Sequence, residues 1–178
     1  TLSATVMMPA SSFGKRGVDE LAAQTVRLLN AQAVNNRIFD RQLTFNSYPF
    51  VKQASAGQLL EEWRALFAGV EQSHVAMIQL PVFHGMAAQL TLEMANEKAV
   101  QQWLDYVEST DALVKPDEEM DCSILSAVQL DGDIQVANIQ VSAVNPCRID
   151  LWIAFDDVQL SVRKGLIAEA ELLLKHEL

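Results

Sequence analysis

The chain has 178 residues, half of them apolar, enough for one domain with a real core or for one half of a two-domain subunit. Its 13 Lys and Arg stand against 23 Asp and Glu, and the formal net charge of -10 repels nucleic-acid phosphates and acidic membrane surfaces. No apolar run approaches the roughly 20 residues needed to span a bilayer, and the opening TLSATVMMPASS lacks the basic-then-apolar order of a signal peptide, so a cytoplasmic protein is expected.

In chain order, SATVMMPA reads as a strand that ends at Pro9 and feeds the small-residue turn SSFGKRG. VDELAAQTVRLLNAQAV predicts a helix whose inward stripe is Val18, Leu21, Ala22, Thr25, Leu28, Leu29 and Ala33. The stretch from Asn35 to Gly57 has no sustained period and is the longest connection, of the kind that is often functional or partner-facing. Helical spacing returns in GQLLEEWRALFAGV through Leu59, Leu60, Trp63, Leu66 and Phe67, with Gly69 as the stop. HVAMIQLPVF and AAQLTLEMA read as strands, the second with Leu90, Leu92 and Met94 on one face and Gln89, Thr91 and Glu93 on a wet or partner-facing one. EKAVQQWLDYVES predicts a helix through Val100, Trp103, Leu104 and Val107.

CSILSAVQL, DIQVANIQVSAV and RIDLWIAFDD are expected as three strands of a meander, the first two joined by a hairpin at Asp131-Gly132-Asp133, where Asp-Gly favours positive φ. VRKGLIAEAELLLKHEL closes the chain as a helix with Leu166, Ala170, Leu173 and Leu174 inward. Strands joined by hairpins and flanked by helices define an α+β class: a mixed, largely antiparallel sheet covered by helices on one face. The other face then needs a cover, and a second copy of the chain is the economical one. Cys122 and Cys147 form no metal-type cluster and no disulfide framework, and are read as packed or surface thiols. His74 and His176 have no clustered partners, which leaves no metal site.

Four segments, in order, resemble the dimerisation (C-terminal catalytic) domain of aspartate-semialdehyde dehydrogenases. ATVMMPASSFGKRGVDEL is similar to the family's strand, glycine-containing loop and helix. IQLPVFHGMAAQLTLEM is similar to its arginine-x-proline-valine and glycine-histidine strand pair. VSAVNPCRIDLWIAFDD and VRKGLIAEA are similar to its late strand and its arginine-lysine-glycine helix start. The resemblance implies a glyceraldehyde-3-phosphate dehydrogenase-like C-terminal domain over residues 1–178, used for homodimerisation. It also implies an N-terminal dinucleotide-binding domain that precedes Thr1, so the chain is expected to be an excised half with no cofactor of its own, the full-length protein being the place for NADP.

Such enzymes need a cysteine nucleophile, a proton-transferring group, an arginine for the substrate carboxylate and a nicotinamide for hydride. The chain has no GxGxxG, and neither cysteine lies in a segment like the nucleophile motif. The resemblance places the loop glutamine at Met8, the substrate arginine at Gln79 and the acid/base histidine at Met86. A thioether cannot transfer a proton, and a neutral amide cannot make the charged two-pronged pair with a carboxylate. His84, two residues before Met86, is either a displaced histidine or a turn and packing residue.

Glu61 and Arg64 match the helix positions that bind substrate and phosphate, or form an ordinary exposed helical pair. Arg163, Lys164 and Gly165 keep a helix start next to the cofactor, or are plain surface charge, and the asparagine that touches nicotinamide aligns with Glu169. These departures are similar to the Usg-type paralogues, which implies a pseudoenzyme whose activity is association. Two other readings stay open: an NADP-dependent oxidoreductase acting on a semialdehyde or acyl phosphate through the upstream domain, and a binding module that uses the loop from Asn35 to Gly57.

Overall fold

The structure, a computed structural model, describes residues 1–50, 61, 73–111, 113–115, 122–129 and 133–160. Its centre is a seven-stranded sheet built from β1 (Leu2–Met8), β2 (Tyr48–Pro49), β3 (Ser73–Gln79), β4 (Met86–Glu93), β5 (Leu113–Val114), β6 (Ile134–Val141) and β7 (Arg148–Phe155). The strand order is β2-β3-β1-β4-β7-β6-β5, with β1/β3 and β5/β6 parallel and the other neighbours antiparallel. The mixed, largely antiparallel α+β sheet expected from the sequence is therefore present.

Period-two alternation sorts the side chains. On one face Leu90 lies opposite Leu151, Leu92 opposite Ile149, and Val136 opposite Ile153. The helix α2 (Glu97–Ser109) covers this face, with Val100, Trp103 and Leu104 in one cluster with Val136, Ile149 and Leu151. Asn96 starts that helix by accepting the backbone N–H of Ala99 on its side chain. On the opposite face Gln89 pairs with Trp152, Thr91 with Asp150, and Glu93 with Arg148. Only α3 (Ile124–Gln129) packs there among the described residues, through Ala127 against Ala87 and Ala154 at one corner. Among the described residues the rest of this face is uncovered and polar with a central tryptophan, and the leucine-rich alternation belongs to the covered one.

Three expectations change. CSILSAVQL contains α3 and not a strand, because Ile124, Ala127 and Val128 recur at helical spacing and Ser123 caps the helix by accepting from the Ser126 N–H. The expected hairpin at Asp131-Gly132-Asp133 falls between α3 and β6, and Asp131 and Gly132 lie outside the described residues. The first helix, α1 (Gly14–Leu29), starts earlier and ends sooner than the apolar spacing implies, and its inward stripe is different. Its buried residues are Gly17, Glu20, Leu21 and Gln24, while Ala22 is exposed and Leu29 is 72% exposed. The expected helices over 57–70 and 162–178 fall outside the described residues, save for Glu61, which is helical and exposed.

The reason for the rotated stripe is polar docking. Glu20 accepts the backbone N–H groups of Arg37, Ile38 and Phe39, with Ile38 at 2.7 Å. One turn later the Gln24 carbonyl accepts from Leu43 at 2.8 Å and from Thr44 at 3.2 Å. The connection after α1 has few backbone partners of its own, and these two side chains supply acceptors for its amides. Phe39 and Leu43 are thereby seated on Leu21 and Ala10 as a small apolar cluster. No described helix is long and apolar enough to cross a membrane.

Candidate functional site

The strand register brings together the three positions that the resemblance assigns to chemistry. Met8 ends β1 and lies opposite Gln79, the last residue of β3. Met86 opens β4, one residue before Ala87, which pairs with Met7. All three share one face of the pleat at one end of three neighbouring strands. The side chains brought together in this strip are two thioethers and an amide.

Gln79 is fully buried, and its side-chain N–H₂ donates to the carbonyls of Met8 and Pro9, both at 3.0 Å. Its carbonyl oxygen Oε1 is buried with no hydrogen-bond partner. The amide is thus turned toward the chain's own backbone and fixes the exit of β1. Met8 is 9% exposed, and its carbonyl also accepts the N–H of Leu80 at 2.9 Å.

Around this end of the strands the loops are tied by Asp157, whose part no motif in the sequence signals. Its carboxylate accepts from Ser11 Oγ at 2.8 Å and from the Gly85 N–H at 2.9 Å. Gly85 has φ +88°, and a Cβ there would lie 2.7 Å from methyls of Ile124 and Val128, so only glycine fits the turn before Met86. His84 is exposed and borders a groove with Ser11, Gly14, Lys15 and Val158. It stands outside the strip that holds Met8, Gln79 and Met86.

The remaining candidates do not join this strip. Glu61 is exposed, whereas Arg64, Arg163, Lys164 and Gly165 lie outside the described residues. Cys122 and Cys147 are half-buried and not disulfide-bonded, Cys122 just before α3 and Cys147 just before β7. His74 lies on the exposed side of β3, one residue from its start.

The sheet order, the α2-covered face and the strip at the ends of β1, β3 and β4 define a glyceraldehyde-3-phosphate dehydrogenase-like C-terminal domain. More narrowly, a family profile described as "Semialdehyde dehydrogenase, dimerisation domain" matches residues 1–160, and the chain belongs to that family. A "USG-1 protein homolog" of Pseudomonas aeruginosa is 31% identical over 99% of this chain and 55% of its own length. A solved structure of a probable aspartate-semialdehyde dehydrogenase from Pseudomonas aeruginosa superimposes with a TM-score of 0.84 at 31% identity, over 99% of this chain and 55% of the other. Aspartate semialdehyde dehydrogenase II of Vibrio cholerae, solved in complex with ASA, has a TM-score of 0.85 at 24% identity, covering 98% and 54%. The chain spans about half the length of the relatives it matches.

Proposed function

We propose that this chain is the homodimerisation half of a catalytically degenerate aspartate-semialdehyde dehydrogenase paralogue, a protein whose activity is association. The observation that carries the reading is Gln79: at the position implied for the substrate arginine stands a neutral, fully buried amide bonded to Met8 and Pro9 carbonyls. Met8 and Met86 beside it offer neither charge nor a transferable proton. The nucleotide-binding domain, any NADP and any nucleophilic cysteine belong to the upstream half of a cytoplasmic full-length protein.

Dimerisation uses the open face of the sheet. Gln89, Thr91, Asp150 and Trp152 form its centre, and only a corner is covered by α3 among the described residues. An obligate interface of this kind buries on the order of 2,000 Å² or more. The test is sedimentation over a dilution series into the low micromolar range. Twice the chain mass is expected, with dissociation tied to unfolding and with Trp152→Arg weakening the pair by at least about tenfold. A folded monomer at every concentration overturns the reading.

One observation favours an altered oxidoreductase: exposed His84 stands two residues from Met86 in a groove that also holds Lys15 and Ser11. A steady-state assay of the full-length protein with aspartate semialdehyde, phosphate and NADP separates the two. No turnover is expected. Turnover that disappears in His84→Ala would establish the oxidoreductase instead.

A further inference from the structure

A groove of about 380 Å³ runs along α1, between the helix and the segment around Asn35 to Ile38. Arg16 and Arg27 line its two ends from the helix, and Arg37 lines it from the facing segment. All three arginines are exposed. Ion pairs among the described residues join Lys15 to Asp19, Lys115 to Glu108 and Arg148 to Asp150, and none engages Arg16, Arg27 or Arg37. In a chain with a formal net charge of -10, three guanidiniums without a carboxylate partner on one groove are a local excess that the composition does not lead one to expect.

The acids that border the groove are already engaged. Asp19 is bound to Lys15 at 2.6 Å, and Glu20 accepts three backbone N–H groups from the facing segment. Those same bonds hold Arg37 against the helix, so the groove is pre-formed and not assembled by its ligand. Arg27 donates to the Ala33 carbonyl at 3.3 Å, which fixes its guanidinium while leaving most of its donors available. Arg16 and Arg27 are separated by three helical turns, roughly 16 Å along the axis, too far for one compact anion to reach both. The volume is that of a small-molecule site.

From these observations we infer that the α1 groove binds an elongated small polyanion of the oligophosphate class, held by Arg16, Arg27 and Arg37. Planar guanidiniums grip phosphate oxygens two at a time, and spacing along the helix selects a ligand with several charged groups over a single one. The site takes no part in the chemistry assigned to the strip at Met8, Gln79 and Met86, so it stands or falls separately from the association proposed above.

Titration calorimetry of the chain with inorganic tripolyphosphate tests this. Saturable binding is expected, tighter than for orthophosphate and weakened about tenfold or more by Arg37→Gln or Arg27→Gln. Arg37→Lys, which keeps the charge, is expected to recover part of the loss, and Lys98→Gln, on the exposed side of α2 and outside the groove, to change nothing. Circular dichroism of each variant checks that the exposed substitutions leave the fold in place. Three results overturn the proposal: no saturable binding, equal binding by every variant, or an oligoglutamate peptide binding as tightly as tripolyphosphate, which would assign the groove to an acidic protein segment.

Discussion

Among the places where this domain buries polar side chains, two use them differently. On α1, Glu20 and Gln24 reach outward from the helix and collect backbone amides from a segment 17 to 20 residues further on. At the ends of β1 and β3, Gln79 reaches sideways and donates to two carbonyls of the adjacent strand exit. The first arrangement satisfies backbone groups that have few other partners. The second decorates carbonyls that already have one, since Met8 O accepts from Leu80 and Pro9 O from Ser12. The lesson is that a buried polar residue at a position implied for catalysis is not thereby functional: what matters is whether its hydrogen-bonding capacity faces a ligand or the chain itself.

The difference predicts unequal costs. Glu20→Ala leaves three amide N–H groups unanswered, that of Phe39 buried and those of Arg37 and Ile38 part-buried, and each loses a bond to a carboxylate acceptor. A loss of about 3 kcal/mol or more in urea unfolding is expected, with faster amide hydrogen exchange at Arg37, Ile38 and Phe39. A loss below about 1 kcal/mol would mean that the segment finds water or other partners and that the clamp is not needed.

Gln79→Leu is the second test and the more telling. Both acceptor carbonyls keep a backbone donor, and the substitution also removes Oε1, which is buried without a partner. The two effects oppose one another, so a change of about 1 kcal/mol or less is expected. If Gln79→Leu instead costs as much as Glu20→Ala, the amide is a keystone of the fold. The pair Gln79→Arg with Met86→His is expected to create no turnover in this chain, since the resemblance places nucleophile and hydride carrier in another domain.

Much of the fold was legible because its signals are local. Alternation in AAQLTLEMA placed Leu90 and Leu92 on the covered face, and EKAVQQWLDYVES has the bounds of α2. Both patterns come from one element packing on a continuous apolar surface. The failures come from packing that is not of this kind. In α1 the apolar residues Val26 and Leu29 are exposed and the polar Glu20 and Gln24 are buried, because their partner is loop backbone and not a hydrophobic face. In CSILSAVQL the β-branched composition suggested a strand, whereas a Ser cap and a small contact at Ala127 suffice for a helix of under two turns. Asp157 could not be read at all: its partners Ser11 and Gly85 lie 146 and 72 residues away. As for the candidate site, the motif spacing located Met8, Gln79 and Met86 well enough for the register to unite them, but no sequence pattern reveals that Gln79 turns to the backbone.

The smallest effect is expected where the charges are exposed, on the open face of the sheet. Asp150 lies opposite Thr91 in register, and its carboxyl is held below the usual carboxylate range, first by the hydrogen bond from Arg148 and then by that from Thr91. A carboxyl depressed in the folded state contributes stability that is present above its unfolded pKa and is lost as the pH falls through the folded one. The loss therefore belongs to pH values below about 4, and stability near neutral pH is flat with respect to this group. Because the pair is open to solvent, screening keeps its contribution small, and added salt is expected to shrink it further. Carboxyl-carbon NMR titration reads the effect directly: Arg148→Gln should move the Asp150 midpoint upward toward the ordinary value, and Thr91→Val should move it less. An unchanged midpoint in Arg148→Gln would mean that the guanidinium is not what holds the carboxyl down. If the open face pairs two copies, the same titration has a second use, since burial of Asp150 in an interface opposes ionisation and its midpoint would then rise on association, in step with the sedimentation change.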